Sequence, residues 1–283
     1  MHPNRIAAVA FTASLFVAQA FAADAAVAAV PSGLPTERVN LRASGFFATS
    51  IDTRIRVDGH LNAPGGGGGW DFGTTIDLAD QLKVETSVNV FRAEAMWNIG
   101  ARHRLDLAWF DMEETGHTVL TRDIDFGDTD FTASMPVDSY FRTNILRLAY
   151  TYFFVQKPRV QFGLSQGLHL MKVVSGVSVP NSTLTENVGV TAPIPVLGFN
   201  FDYAATSKLL LRAHGEYLKI SYDNYDGELT DLYGAAEWLL EKHWSAGGGI
   251  EYFDIDVVAT KTRARMAIEH NWVGYQAYVS YRF

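Results

Sequence analysis

Apolar and polar residues alternate with a period of two along most of the chain from Val39 to Phe283, the pattern of strands that keep one apolar face. From Val39 to Val57 the odd positions read Val39, Leu41, Ala43, Gly45, Phe47, Thr49, Ile51, Thr53, Ile55 and Val57, against Asn40, Arg42, Ser44, Ser50, Asp52, Arg54 and Arg56 on the even side. The same test picks out runs at 91–99, 105–109, 146–154, 160–170, 197–203, 209–217, 231–240, 244–252 and 275–283, about ten strands in all. Four connections are tight, at Gly100–His103, around Lys157-Pro158, at Ala205–Lys208 and at Glu241–His243. Five are longer, near 59–83, 112–138, 174–190, 222–230 and 254–271, and the second of these has room for an extra hairpin. Tight and long connections strictly alternate. This predicts an all-β, antiparallel up-and-down β-barrel of about ten strands, with eight or twelve left open, whose termini and tight turns share one end.

Composition turns this into a membrane barrel. Beyond residue 22 no segment is long and apolar enough to cross a bilayer as a helix, so a membrane-spanning chain of this kind has to close its strands on themselves. Mean hydropathy is +0.01, as expected when one strand face meets lipid and the other a polar interior. Residues 1–22 read as a signal peptide, with Arg5, an apolar core from Ile6 to Ala18, and Ala20-Phe21-Ala22 ahead of the cleavage point. Residues 23–38 follow as a periplasmic linker, and 39–283 form the barrel. The chain has no cysteine, which suits export, and a net charge of -8, which argues against a nucleic-acid partner. Trp97, Tyr152, Phe154, Tyr203, Trp238, Trp244, Tyr281 and Phe283 fall beside the tight-turn end. Trp109, Tyr217, Tyr252, Trp272 and Tyr275 fall towards the other rim, so two aromatic girdles are expected.

The last nine residues carry a resemblance. Tyr275, Ala277, Val279, Tyr281 and Phe283 share one face, Gln276, Ser280 and Arg282 the other, and the chain ends on an aromatic with another two positions earlier. This ending resembles the C-terminal sorting signal of Gram-negative outer-membrane β-barrels, with Tyr281 and Phe283 as its key residues. The chain as a whole broadly resembles the outer membrane protein A-like and opacity-like barrel superfamily. The resemblance implies the outer membrane as destination, barrel assembly machinery as a partner in biogenesis, and outer-membrane lipids and lipopolysaccharide as surroundings.

Chemistry is expected inside. Arg42, Arg92, Glu94, Asp106, Arg147, His169, Asp202, Arg212, His214, Glu216, Glu237, Glu251 and Arg282 all project inward on this alternation and mix both signs. In a narrow barrel such a set reads as a cross-linked polar filling, because unpaired charges there are costly. No catalytic, cofactor or metal residues are assigned. Gly65–Gly69 reads as a flexible loop, since no Lys-Ser/Thr follows it as a phosphate loop requires. Asp123, Asp125, Asp128 and Asp130, like Asp223, Asp226 and Glu228, read as solvated loop charge rather than a calcium site. The expected function is therefore non-enzymatic, a surface-loop platform or a narrow channel for small solutes. The alternative is an outer-membrane hydrolase cleaving lipid or peptide. His214 with Glu216 and Glu237, or His169 with Ser165, would be its base and partners, but no local motif matches omptin proteases or lipid A deacylases.

Overall fold

The computed structural model describes residues 33–61, 70–72, 75–127, 129–222, 225–261 and 264–283; the segment read as a signal peptide, the start of the segment read as a linker, Gly65–Gly69, Asp128 and Asp223 lie outside them. In chain order the strands are β1 (Val39–Leu61), β2 (Trp70–Phe72), β3 (Thr75–Asp77), β4 (Val88–Asn98), β5 (His103–Val119), β6 (Ile124–Phe126), β7 (Thr129–Phe131) and β8 (Pro136–Lys157). There follow β9 (Val160–Ser178), β10 (Thr185–Ala204), β11 (Leu209–Tyr222), β12 (Tyr225–Leu239), β13 (Trp244–Lys261) and β14 (Ala264–Arg282), with one short helix, α1 (Leu78–Gln81), after β3. β1, β4, β5 and β8 to β14 pair antiparallel, each with its neighbour in sequence among that set, and β14 pairs back onto β1 from Asn40↔Arg282 to Gly59↔Ala264. The barrel is closed, with ten strands, and no ladder edge is left open along that seam.

These strands are longer than a membrane needs. A tilted transmembrane strand takes about 9–11 residues, whereas β1 has 23, β8 has 22 and β10 has 20. The surplus lies at the end opposite the tight turns. Much of what the sequence suggests as long loops is therefore wall: β9 runs to Ser178 and β10 starts at Thr185, β11 and β12 meet at 222–225, and β13 and β14 meet at 261–264. The 112–138 segment does contain the extra hairpin, β6–β7, but it forms its own two-stranded sheet outside the barrel ladder.

The two halves of the wall are built on opposite rules. Near the tight turns the apolar face looks out, as with Leu107, Trp109, Leu148, Tyr152, Leu197, Trp238 and Val279, all exposed. Past Trp109 the outward positions of β5 become Asp111, Glu113 and His117, while Phe110 and Met112 turn inward and are buried. The upper interior is an apolar core of Ile55, Phe141, Ile145, Met171, Val173, Phe253, Ile255, Ile268 and Trp272. Water faces the outside of that half, so its hydrophobic drive points to the lumen; lipid faces the lower half and removes that drive. Ile124, Phe126 and Phe131 of the β6–β7 hairpin and Leu78 of α1 are buried in the same cluster, and Thr129 donates to Glu186 of β10 at 2.9 Å.

Two expectations are corrected here. The odd face of β1 does not stay outward: the β1–β14 register shifts between Ala48 and Ser50, so Ile51, Thr53 and Ile55 are buried while Arg54 is exposed. One extra residue in a strand exchanges its faces. Trp272 is not a girdle residue either. It shares the inward face with Gln276 and Ser280, is fully buried, stacks on Phe253 at 4.0 Å between centroids and meets Phe110 edge-on at 5.9 Å. Of the remaining girdle positions, Trp97, Trp109, Tyr152, Phe154, Tyr217, Trp238, Trp244, Tyr275, Tyr281 and Phe283 are exposed, while Tyr203 and Tyr252 are half-buried.

At the short β4 the wall is patched. β4 stops at Val88, and above it β3 pairs with β1 while Val84 bridges to Gly116 of β5. Asp77 caps α1 by accepting from the Asp80 amide at 3.0 Å. Gly100 has φ +143° in the β4–β5 turn, a conformation suited to glycine.

Candidate functional site

The lower lumen contains the polar network the alternation predicts. Arg42 donates to Glu94 at 2.9 Å and to Glu237 at 3.2 Å, and Glu237 also pairs with Arg212 at 3.0 Å and with Arg282. Ser245 adds a hydrogen bond to Glu237 at 2.7 Å, and the Arg42 guanidinium lies 3.9 Å over the Tyr278 ring. Across the lumen Arg147 grips Glu216 with both oxygens, and His169 Nε2 lies 2.7 Å from Glu216 Oε2. Arg92 holds Glu251 through two bonds, one at 2.9 Å, while its plane sits between Phe46 at 4.6 Å and Phe110 at 4.5 Å. Arg92 is the hinge between the layers: its fork belongs to the ion pairs below and its flat faces to the aromatics above. Gly274 makes room for that arrangement, since a Cβ there would meet the Phe46 ring at 2.2 Å.

All thirteen residues expected inside lie inside, and Asp106, Asp202 and His214 are joined by groups not singled out from the sequence. Arg104 binds Asp106 at 3.0 Å, Asp202 at 2.7 Å and Asn200 at 2.7 Å. Its even position beside Asp106 is the signal that reveals it. Asp231 lies 3.9 Å from His214 Nε2 and directly opposite Glu216 across the β11–β12 ladder. A cavity of about 80 Å³ runs between these groups. Ser165 is buried on the same face as His169, but no bond joins the two.

Above the network the chemistry changes. Glu114, buried among apolar groups, has its carboxyl pushed up to about 8 by burial, against the bond it makes to Thr53. Thr53 Oγ1 lies 2.8 Å from His270 Nδ1, and burial pushes His270 down to about 3. This is the arrangement of a hydroxyl on a base, but Thr53 is 2% exposed and His270 0%, so it has no access for a substrate. Glu114 is missed from the sequence because 112–138 reads as a loop there. The signal was present, as Phe110, Met112 and Glu114 continue one face.

The outer surface of this upper half carries a second concavity, of about 1130 Å³, bordered by Lys83, Glu85, Asp111, His117, Asp138, Arg142 and Lys172. Arg142 pairs with Asp111, whose carboxyl is held below its usual range chiefly by that bond, and His117 Nδ1 meets Asp138. Opposite charges therefore alternate across the groove. Of the acidic residues read as solvated loop charge, Asp123 accepts from the Ala133 amide at 2.7 Å and Glu228 from Lys219 at 2.8 Å. They act as turn and ladder contacts.

No protein-family model matches the chain, and no curated protein does. Solved structures do. The outer membrane protease OmpT from Escherichia coli superposes with a TM-score of 0.55 at 12% identity, covering 89% of this chain and 98% of that one. This chain has an outer-membrane β-barrel fold. The translocator domain of autotransporter NalP from Neisseria meningitidis is also similar, at TM-score 0.43, 11% identity and coverage of 99% and 98%. So is the outer membrane protein OprG from Pseudomonas aeruginosa, at 0.35, 12%, 89% and 99%. For an outer-membrane barrel the ten-strand count and the outward apolar belt are the expected build.

Proposed function

We propose that this protein is a sealed outer-membrane barrel that acts from its outer surface as a rigid platform, without conducting solute and without catalysing a reaction. The observation that carries this reading is the stacking of two closures in one lumen, the ion-pair network below and the Phe110, Phe253 and Trp272 layer above it. A conducting path needs a continuous polar lining, and the apolar layer interrupts it. On this reading the chain reaches the outer membrane after loss of residues 1–22, is inserted by the barrel assembly machinery, and lies among lipids and lipopolysaccharide with its upper half in the external medium. Refolded protein in a planar bilayer tests it. No discrete current steps are expected, and steady single-channel openings at neutral pH would overturn the reading.

A hydrolase is the second reading, favoured by one observation. His117 and Asp138 form an exposed base and orienter pair beside the open external groove. Hydrolysis of a lipid or peptide substrate by purified protein, abolished by His117→Ala, would establish it in place of the platform.

A further inference from the structure

We propose that the lower lumen is a binding site for a divalent transition metal of the zinc class, held by His169 Nε2, Glu216 Oε2 and Asp231. Three independent features point there. Glu216 and Asp231 are directly paired across β11 and β12, and like charges in that position repel unless something stands between them. Arg147 neutralises Glu216, whereas Asp231 is bonded to no guanidinium among the described residues; its side chain is buried, at 8% exposure, and Oδ1 has no hydrogen-bond partner. The donor atoms of His169, Glu216 and Asp231 lie within 4.8 Å of one another, and the cavity of about 80 Å³ borders His169, His214 and Asp231.

The donor set selects the ion. An imidazole and two carboxylates, with a water as fourth ligand, suit zinc, which sits about 2.0–2.2 Å from each in a tetrahedron, whereas magnesium prefers an octahedron of oxygens and retains its waters. His169 Nε2 and Glu216 Oε2 are now 2.7 Å apart and His214 Nε2 lies 3.9 Å from Asp231 Oδ1. Opening the first distance by under about an ångström admits the ion between those two donors, and His214 stays outside the clustered set. Bound there, the metal ties β9, β11 and β12 together inside the barrel.

The test uses the full mature chain refolded in detergent with zinc chloride, then washed with a chelator. Wild-type protein should retain roughly one zinc per chain and unfold at a higher temperature than protein refolded without metal. Magnesium should give neither effect. Asp231→Asn, which removes the charge but keeps the shape, should retain no zinc and unfold at the same temperature with or without it; His169→Gln should lower zinc affinity at least about tenfold. Wild-type protein that retains no zinc overturns the proposal even if neither variant folds. So does retention by Asp231→Asn equal to wild type. An Asp231→Asn barrel stabilised without metal, beside a metal-free wild type, would mean a proton occupies the site instead.

Discussion

Glu237 shows how much rests on one lumen residue. It accepts from Arg42, Arg282 and Ser245 and ion-pairs with Arg212 while wholly buried, so removing it leaves Arg282 without its carboxylate and Arg42 and Arg212 with one fewer each. Glu237→Ala is expected to destabilise the barrel by roughly 3–5 kcal/mol, measured as urea-dependent unfolding in detergent. Asp111→Ala, which breaks the exposed pair with Arg142, should cost under about 1 kcal/mol. Equal effects would contradict a dry lumen. Glu114 makes a different prediction. Its folded carboxyl binds a proton more tightly than the unfolded chain does, so wild-type stability falls as pH rises from the unfolded value of 4.5 through about 8, and is level beyond. Glu114→Gln has no such proton to lose. The stability gap between variant and wild type should therefore move in the variant's favour by up to about 1.4 kcal/mol per pH unit across that window, and a gap independent of pH would refute the assignment. The lower lumen was legible in the sequence because Arg42, Arg92, Glu216 and Glu237 keep to the polar face of a strict alternation, opposite an apolar one. Glu114 was not, because 112–138 reads as a loop, whereas β5 continues through it as far as Val119.

Among the elements, β1 teaches most. Its first half reads correctly from the sequence and its second half reads inverted, because the register shift between Ala48 and Ser50 leaves Thr49 unpaired, and nothing in Thr49 or Ser50 announces an irregularity. The bulge is what lets one strand serve both halves of the wall. It places Phe46 and Ala48 inward below and Ile51 and Ile55 inward above, while Asp52 and Arg54 face the medium. Inserting one alanine after Ser50 adds a second extra residue and would drive Ile51, Thr53 and Ile55 outward and Asp52, Arg54 and Arg56 into the apolar core. The expected result is loss of the heat-modifiable folded band, whereas Thr49→Ala, which keeps the count, should assemble normally. Strand ends were the other illegible feature. A sequence rule tuned to apolar-out alternation stops where the medium outside changes from lipid to water, and the strands of this wall continue through that change with the pattern reversed.

For the whole molecule, orientation follows from the two kinds of wall. The polar-coated half bears the β11–β12 turn, and the tight turns, including Ala205–Lys208, lie at the other end. Cysteine at Asp226 is expected to react with an impermeant reagent on intact cells and cysteine at Thr206 only after the outer membrane is breached; the reverse order would invert the topology. The shape of the upper half has a further consequence for anything that recognises this protein from outside. Between β9 and β10 only Val179–Leu184 leaves the ladder, and two residues separate β11 from β12 and β13 from β14. The surface on offer is therefore mostly pleated wall, in which adjacent side chains such as Asp111, Arg142 and Lys172 come from three different strands. An antibody or phage receptor would meet a discontinuous epitope that no short peptide of this chain reproduces and that disappears when the barrel is boiled open.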